Sequence, residues 1–280
     1  MVNAAFEAQR LFEGAIESCR SAFGPDHRRI CYLELSLAKL FREQRHLTQA
    51  LCLGQKVWEQ ANTSLGYIET KSSHSISYLE HPEAITALEN LAIIRIRLGD
   101  IAESTALFDK ILSLRTKLQG PTHPDTITAL ANLAWAHSES NEYYTAEQLY
   151  RQVVDKNSAV FGDWHSQTIS ARLKLGACLC RLKRFSECKA MYVKMLDWLF
   201  DCHGEGHDNV AEIYSAIAHL HGSEGKFAEA ERYLKDALRI FKVGSERAVD
   251  VMIDLCYCYI AMRERSRAEV QAEETIRYLD

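Results

Sequence analysis

Apolar side chains recur along the chain at i, i+3, i+4 and i+7, broken at regular intervals by short polar runs. The stretch from His123 to Gly162 shows the unit most clearly. Its first run places Leu130, Leu133, Ala134 and His137 at that spacing, the stripe of a helix packed on one side. A polar break, Ser138 to Glu142, separates it from a second run carrying Ala146, Tyr150 and Val153. Pro124 stands at the first helical turn, where its missing N–H has no intrahelical partner to lose. Gly162 suits the left-handed end of a helix. The pattern therefore predicts two antiparallel helices joined by a tight turn.

That unit repeats. His81, His123, His165 and His207 follow one another at intervals of 42 residues, and Gly120, Gly162 and Gly204 keep the same step. So does a column of small residues, Ser104, Ala146, Cys188 and Ala230. Such a period marks stacked hairpins, each burying its face against its neighbours. Paired antiparallel helices need Ala, Gly, Ser or Cys where their backbones come closest, with Leu and aromatics filling the gaps beside them. Between Gly66 and His81 twelve extra residues are inserted, a polar, serine-rich stretch at 67–78 expected to form a surface loop or groove lid.

A leucine and a small residue, a second small residue twelve positions later, and an aromatic or aliphatic four beyond it resemble the tetratricopeptide repeat. Here the pattern reads Leu91-Ala92-Ser104-Phe108, Leu133-Ala134-Ala146-Tyr150, Leu175-Gly176-Cys188-Tyr192 and Ile217-Ala218-Ala230-Leu234. Weaker outer copies are Leu37-Ala38-Ala50-Gly54 and Leu255-Cys256-Ala268-Ala272. The 42-residue period and the joint from Gly120 to Thr126 are similar to the kinesin-light-chain subtype. The resemblance implies an all-α, right-handed α-solenoid of tetratricopeptide helix hairpins with about thirteen helices, a single domain over 1–280. Its parts are a leading half repeat at 1–24 and repeats at 25–66, 79–120, 121–162, 163–204, 205–243 and 244–280.

Composition narrows the function. Lys and Arg total 33 against 38 Asp and Glu, a net charge of −5, which argues against non-specific nucleic-acid binding. No run of 18 apolar residues appears, so no membrane span is expected. Nine cysteines without framework spacing fit a reducing compartment and a cytoplasmic protein. No phosphate loop, dinucleotide fingerprint, H-E-x-x-H or G-x-S-x-G occurs, so the chain reads as a binding module more than as an enzyme, and no cofactor is expected.

The histidines at the repeat joints, His27, His81, His123, His165 and His207, read as helix-start hydrogen-bonding groups. Cys202, His203 and His207, with His219 and His221 a helix later, form the densest group of metal-ligating types. The glycines around that joint recur elsewhere without cysteine, and no metal site is expected. Cys178, Cys180, Cys256 and Cys258 read as core thiols, since residues two apart on a helix point to different faces.

By the family resemblance, the first helix of each pair lines a concave groove. The positions that it implies are Glu89, Ile93, Ile96 and Arg97; Ala131, Trp135 and Glu139; Leu173, Ala177, Cys180 and Arg181; His219; and Tyr257. Chaperone-binding members grip a C-terminal carboxylate with Lys and Asn where this chain has Ala131, Trp135, Leu173 and Ala177, so that clamp is not expected. Kinesin light chains carry a groove asparagine where this chain has Glu89, Ala131, Leu173 and Ser215; Asn90 and Asn132 stand one residue later. What remains is an apolar groove centred on Trp135 and rimmed by charge, suited to a protein or peptide ligand. The expected function is therefore a protein-interaction scaffold. The alternatives are a site for a small apolar molecule, as sensor or enzyme, and the repeat sensor end of a larger signalling protein.

Overall fold

The computed structural model describes residues 2–24, 28–66, 82–203, 206–241 and 245–279. Among the described residues there are thirteen α-helices and no strand. The chain divides into two compact units, Met1–Leu149 and Tyr150–Asp280. The first holds α1 (Val2–Phe23), α2 (Arg28–Glu43), α3 (Leu47–Gly66), α4 (Pro82–Leu98), α5 (Ile101–Gln119) and α6 (Pro124–Glu139). The division falls inside α7 (Tyr143–Phe161). The second holds α8 (Ser166–Arg181), α9 (Phe185–His203), α10 (Asp208–Ser223), α11 (Phe227–Ile240), α12 (Glu246–Ala261) and α13 (Arg265–Leu279).

Within each unit, helices adjacent in sequence pack on one another, and the first helices of successive pairs also touch: α2 on α4, and α8 on α10. That connectivity is the α-solenoid of helix hairpins which the period implies. The insertion at 67–78 and the histidines at 27 and 81 lie outside the described residues. Among the described residues no helix is long and apolar enough to cross a membrane.

The small-residue columns sit where the two helices of a pair meet. Ala38 with Ala50, Ala92 with Ser104, and Ala134 with Ala146 are buried in the first unit; Gly176 with Cys188, and Ala218 with Ala230, are buried in the second. Where the second small residue carries a donor, it bonds across to its partner. The Ser104 hydroxyl donates to the Ala92 carbonyl at 2.7 Å, and the Cys188 thiol reaches toward the Gly176 carbonyl at 3.5 Å. Both span the same twelve residues. In the last pair Cys256 and Ala268 are only half-buried, while Leu255 and Cys258 fill the core.

Turn chemistry repeats as faithfully. Each hairpin closes through one left-handed residue: Arg45, Gly99, Asn141, Lys183, Gly225 and Arg263, with φ between 59 and 90°. The N–H of the following residue closes each turn by donating to a helix carbonyl five residues back. The six bonds run from His46, Asp100, Glu142, Arg184, Lys226 and Glu264 to Phe41, Arg95, His137, Leu179, His221 and Tyr259, at 2.8 to 2.9 Å. This i to i−5 closure is the Schellman motif, which satisfies carbonyls left unpaired at a helix end.

Helix starts are capped by the joint histidines. Nδ1 of His123, His165 and His207 accepts the backbone N–H two residues on, at 3.2, 3.3 and 3.2 Å. The imidazole thus stands in for the Ser, Thr, Asn or Asp usual at that position, and Ser245 fills the role for α12.

Among the described glycines of the second unit, Gly176 is the one with no room for a side chain. A Cβ there would strike the ring and hydroxyl of Tyr192, a fully buried side chain. Gly176→Ala is expected to cost about 1–3 kcal/mol of stability, the usual penalty of overpacking. Adding Tyr192→Leu, the residue that the next pair carries as Leu234 opposite Ala218, is expected to make the alanine nearly neutral. Urea denaturation of the two singles and the double checks this through the coupling energy.

Candidate functional site

In the first unit the implied groove residues have mostly found partners within the fold. Glu89 on α4 is half-buried and pairs with Nη2 of Arg115 at 2.9 Å, while Nη1 of the same guanidinium holds Asp125 at 2.9 Å. Arg115, buried on α5, thereby ties α4 to the first turn of α6. Burial raises the Glu89 carboxyl above its usual range against the pull of Arg115. Ile96 is core, 8% exposed, and Ile93 packs partly buried against the same cluster. Trp135 is half-buried: its ring meets Phe108 at a centroid distance of 6.5 Å, and its Nε1 donates to Glu139 Oε1 at 2.9 Å. Ala131 is half-buried, and Arg97 and Glu139 are exposed.

The second unit holds a cleft of about 710 Å³ lined by the inner faces of α8, α10 and α12. Five implied groove residues, Leu173, Ala177, Cys180, Arg181 and His219, line it. Tyr257 borders a smaller recess that shares His219, Ser223 and Asp254 with the cleft. The arrangement follows from helical geometry: Leu173, Ala177, Cys180 and Arg181 lie three or four residues apart, and so on one face of α8. The floor is apolar, with Tyr192, Ala216, Phe241 and Val251.

The walls are charged and already partly paired. Arg247 meets Glu212 at 2.5 Å between α12 and α10. His219 Nε2 lies 3.1 Å from Asp254 Oδ2, again between α10 and α12. The Asp254 hydrogen bond raises the His219 imidazole above its ordinary range. Asp250, one turn before Asp254, has neighbours of its own sign. Partial burial, Glu246 and Asp254 together push its carboxyl up.

Several lining groups escaped the sequence reading. Asp254 and Ala216 occupy the column of Asn90 and Asn132, one residue later than the implied groove position. The polar residues in that column were the available signal, since the column faces the neighbouring first helix: Asn90 accepts a bond from Arg42 on α2 at 2.8 Å. Tyr192 and Phe241 come from the second-helix side and Arg247 from a first turn, positions outside any first-helix rule.

The sulfur and imidazole groups separate in space. His207 caps α10, His219 faces the cleft, and His221 is buried with its ring stacked on Tyr233 at 5.5 Å. Cys202 is exposed, and the His203 side chain lies outside the described residues. Of the thiols read as core, Cys178 and Cys258 are buried, but Cys180 and Cys256 are half-buried. Cys180 sits at the end of α8, where the face turns from the core toward the cleft.

Stacked hairpins with capped joints and a side-chain-lined cleft define a helix-hairpin repeat protein. A family model described as "Tetratricopeptide repeat" matches residues 83–156 and 167–242, and another of the same description matches 4–29. The chain belongs to the tetratricopeptide repeat family. Its repeats are kinesin-light-chain-like: Protein KINESIN LIGHT CHAIN-RELATED 3 of Arabidopsis thaliana is 32% identical over 92 residues, 31% of this chain and 14% of that protein. The match thus spans about a seventh of that relative. Two solved structures share the fold. A tetratricopeptide repeat protein from Parabacteroides merdae gives a TM-score of 0.65 at 18% identity, over 99% of this chain and 92% of that one. A Rap protein complexed with Competence and Sporulation Factor gives 0.59 at 11% identity, over 99% and 77%.

The His219–Asp254 pair yields a direct test. Its folded-state shift is upward, so its contribution to stability is complete below about pH 6.5, the unperturbed imidazole value, and fades as pH rises through the raised midpoint. The side chain of His219 is 63% exposed, so the stabilising effect stays small. Proton NMR titration is expected to place His219 above the unperturbed value, and Asp254→Asn to bring it back down.

Proposed function

We propose that the chain is a protein-interaction scaffold whose second unit takes an extended or helical segment of a partner in the cleft between α8, α10 and α12. The observation that carries this reading is the composition of the cleft. An apolar floor of Leu173, Ala177, Phe241 and Val251 lies between Arg181 on one wall and Asp250 on another. Recognition surfaces combine such a floor with a few oriented polar groups. Family membership supports the scaffold class, and the Rap structure shows a complex held by a protein of this fold.

The charge pattern specifies the partner further. Asp250 faces Glu246 and Asp254 across successive helical turns, so a lysine or arginine brought to it relieves repulsion as well as forming a new pair. An apolar side chain flanking that basic residue fills the floor. Leu173, Ala177, Arg181, His219 and Tyr257 are the groove residues that this reading retains; Trp135 in the first unit, half-buried and bonded to Glu139, is not needed by it.

Panning a random-peptide library on the full chain tests the proposal. Enriched peptides are expected to pair a basic with a large apolar residue and to lose at least about tenfold in affinity, roughly 1.4 kcal/mol, on Asp250→Lys or Leu173→Asp. Peptides indifferent to both changes but released by Trp135→Ala overturn the assignment.

A further inference from the structure

Two thiols of the second unit belong to one another. Cys180 near the end of α8 and Cys188 in the first turns of α9 bring their sulfurs to 3.6 Å. Cys188 is fully buried in the small-residue column. Cys180 is half-buried and lines the cleft. A disulfide has its sulfurs about 2.05 Å apart, so closure needs a shift of roughly 1.5 Å from contact. The hairpin already holds the two backbones close at this level, through Gly176 opposite Cys188.

We propose that Cys180 and Cys188 form a peroxide-oxidisable dithiol that closes reversibly into a disulfide stapling α8 to α9 at the cleft wall. This site stands independently of what the cleft binds. The hydrogen bond from Cys180 favours the Cys188 thiolate and draws that thiol below its ordinary range, while the same bond and burial push Cys180 up. The pair therefore gives up its first proton as a unit.

Access decides which sulfur meets the oxidant. Cys188 is sealed from solvent, so hydrogen peroxide arriving through the cleft meets Cys180. The Cys188 thiolate takes the Cys180 proton across their contact, and the Cys180 sulfur so freed attacks one peroxide oxygen. The O–O bond breaks, hydroxide leaves and is protonated to water, and Cys180 becomes a sulfenic acid. The Cys188 sulfur then attacks Cys180, the S–O bond breaks, and the departing hydroxide takes the Cys188 proton as a second water. Two thiols and one peroxide give one disulfide and two waters; the two electrons pass from the sulfurs to the peroxide oxygens. A small dithiol reverses the bond by exchange.

The repeat supplies its own control substitutions. Ser104 stands in the column of Cys188, and Ser138 in that of Cys180, so serine at either place is already compatible with this fold. Trypsin cleaves after Lys174, Arg181, Arg184 and Lys189, leaving Cys180 in peptide 175–181 and Cys188 in peptide 185–189.

The full-length reduced chain is treated with hydrogen peroxide, alkylated, digested and read by mass spectrometry. The expected product is a cross-link between peptides 175–181 and 185–189 that dithiothreitol removes. It is expected to persist in Cys178→Ser and to vanish in Cys180→Ser and Cys188→Ser, with circular dichroism confirming that the variants fold. A cross-link that survives Cys180→Ser, and so runs through Cys178, overturns the proposal. So does a chain in which exposed Cys52 and Cys202 oxidise while Cys180 and Cys188 remain fully alkylatable after unfolding.

Discussion

The structure depends on how closely the two helices of a pair can approach. At the level of Ala92 and Ser104, or Gly176 and Cys188, no side chain larger than a hydroxymethyl or thiomethyl separates the backbones. Close packing there sets the angle and depth at which leucines and aromatics interlock on either side. It also lets a side-chain donor on one helix reach a main-chain carbonyl on the other, as Ser104 does. Once the pairs are fixed in this way, the first helices of successive pairs are brought into contact, and their inner faces become available to line a cleft. A larger residue in the column would disturb the floor of that cleft as well as the core, because Tyr192 belongs to both.

The parts of this molecule legible in its sequence are those that the period repeats. Helix pairs, small columns and histidine joints each return at intervals of 42 residues, and repetition separates them from chance. The parts that were not legible are the ones that differ between repeats. Glu89 reads as a groove residue until Arg115 is seen to neutralise it from a different helix. Ile96 and Cys180 occupy the same column, yet one is core and the other lines the cleft; a helix-face rule assigns them alike, and local packing separates them. Asp254 was reachable, since Asn90 and Asn132 show its column to be polar. Tyr192 and Phe241 were not, because they enter the cleft from outside the face on which the reading concentrated.

The two units use charge differently. In the first, Arg115 satisfies two carboxylates at once, and the arrangement is closed: it joins helices and leaves little for a ligand to gain. In the second, Glu212 is matched by Arg247 and Asp254 by the His219 imidazole, but the run Glu246, Asp250, Asp254 along α12 sets like charges one turn apart. That edge of like charge is the feature on which the proposed recognition of a basic segment rests.

The six left-handed hairpin turns have an evolutionary consequence. Each closes by the same backbone bond, and the residue at its apex is a glycine in two, an asparagine in one and a long cation in three. Since main-chain atoms make the closure, the apex can drift in sequence without altering the joint. A period of such a gene can be duplicated or excised whole, and the new neighbours meet through a connection that they already know how to make. Length becomes heritable in discrete steps, while each inner face diverges on its own.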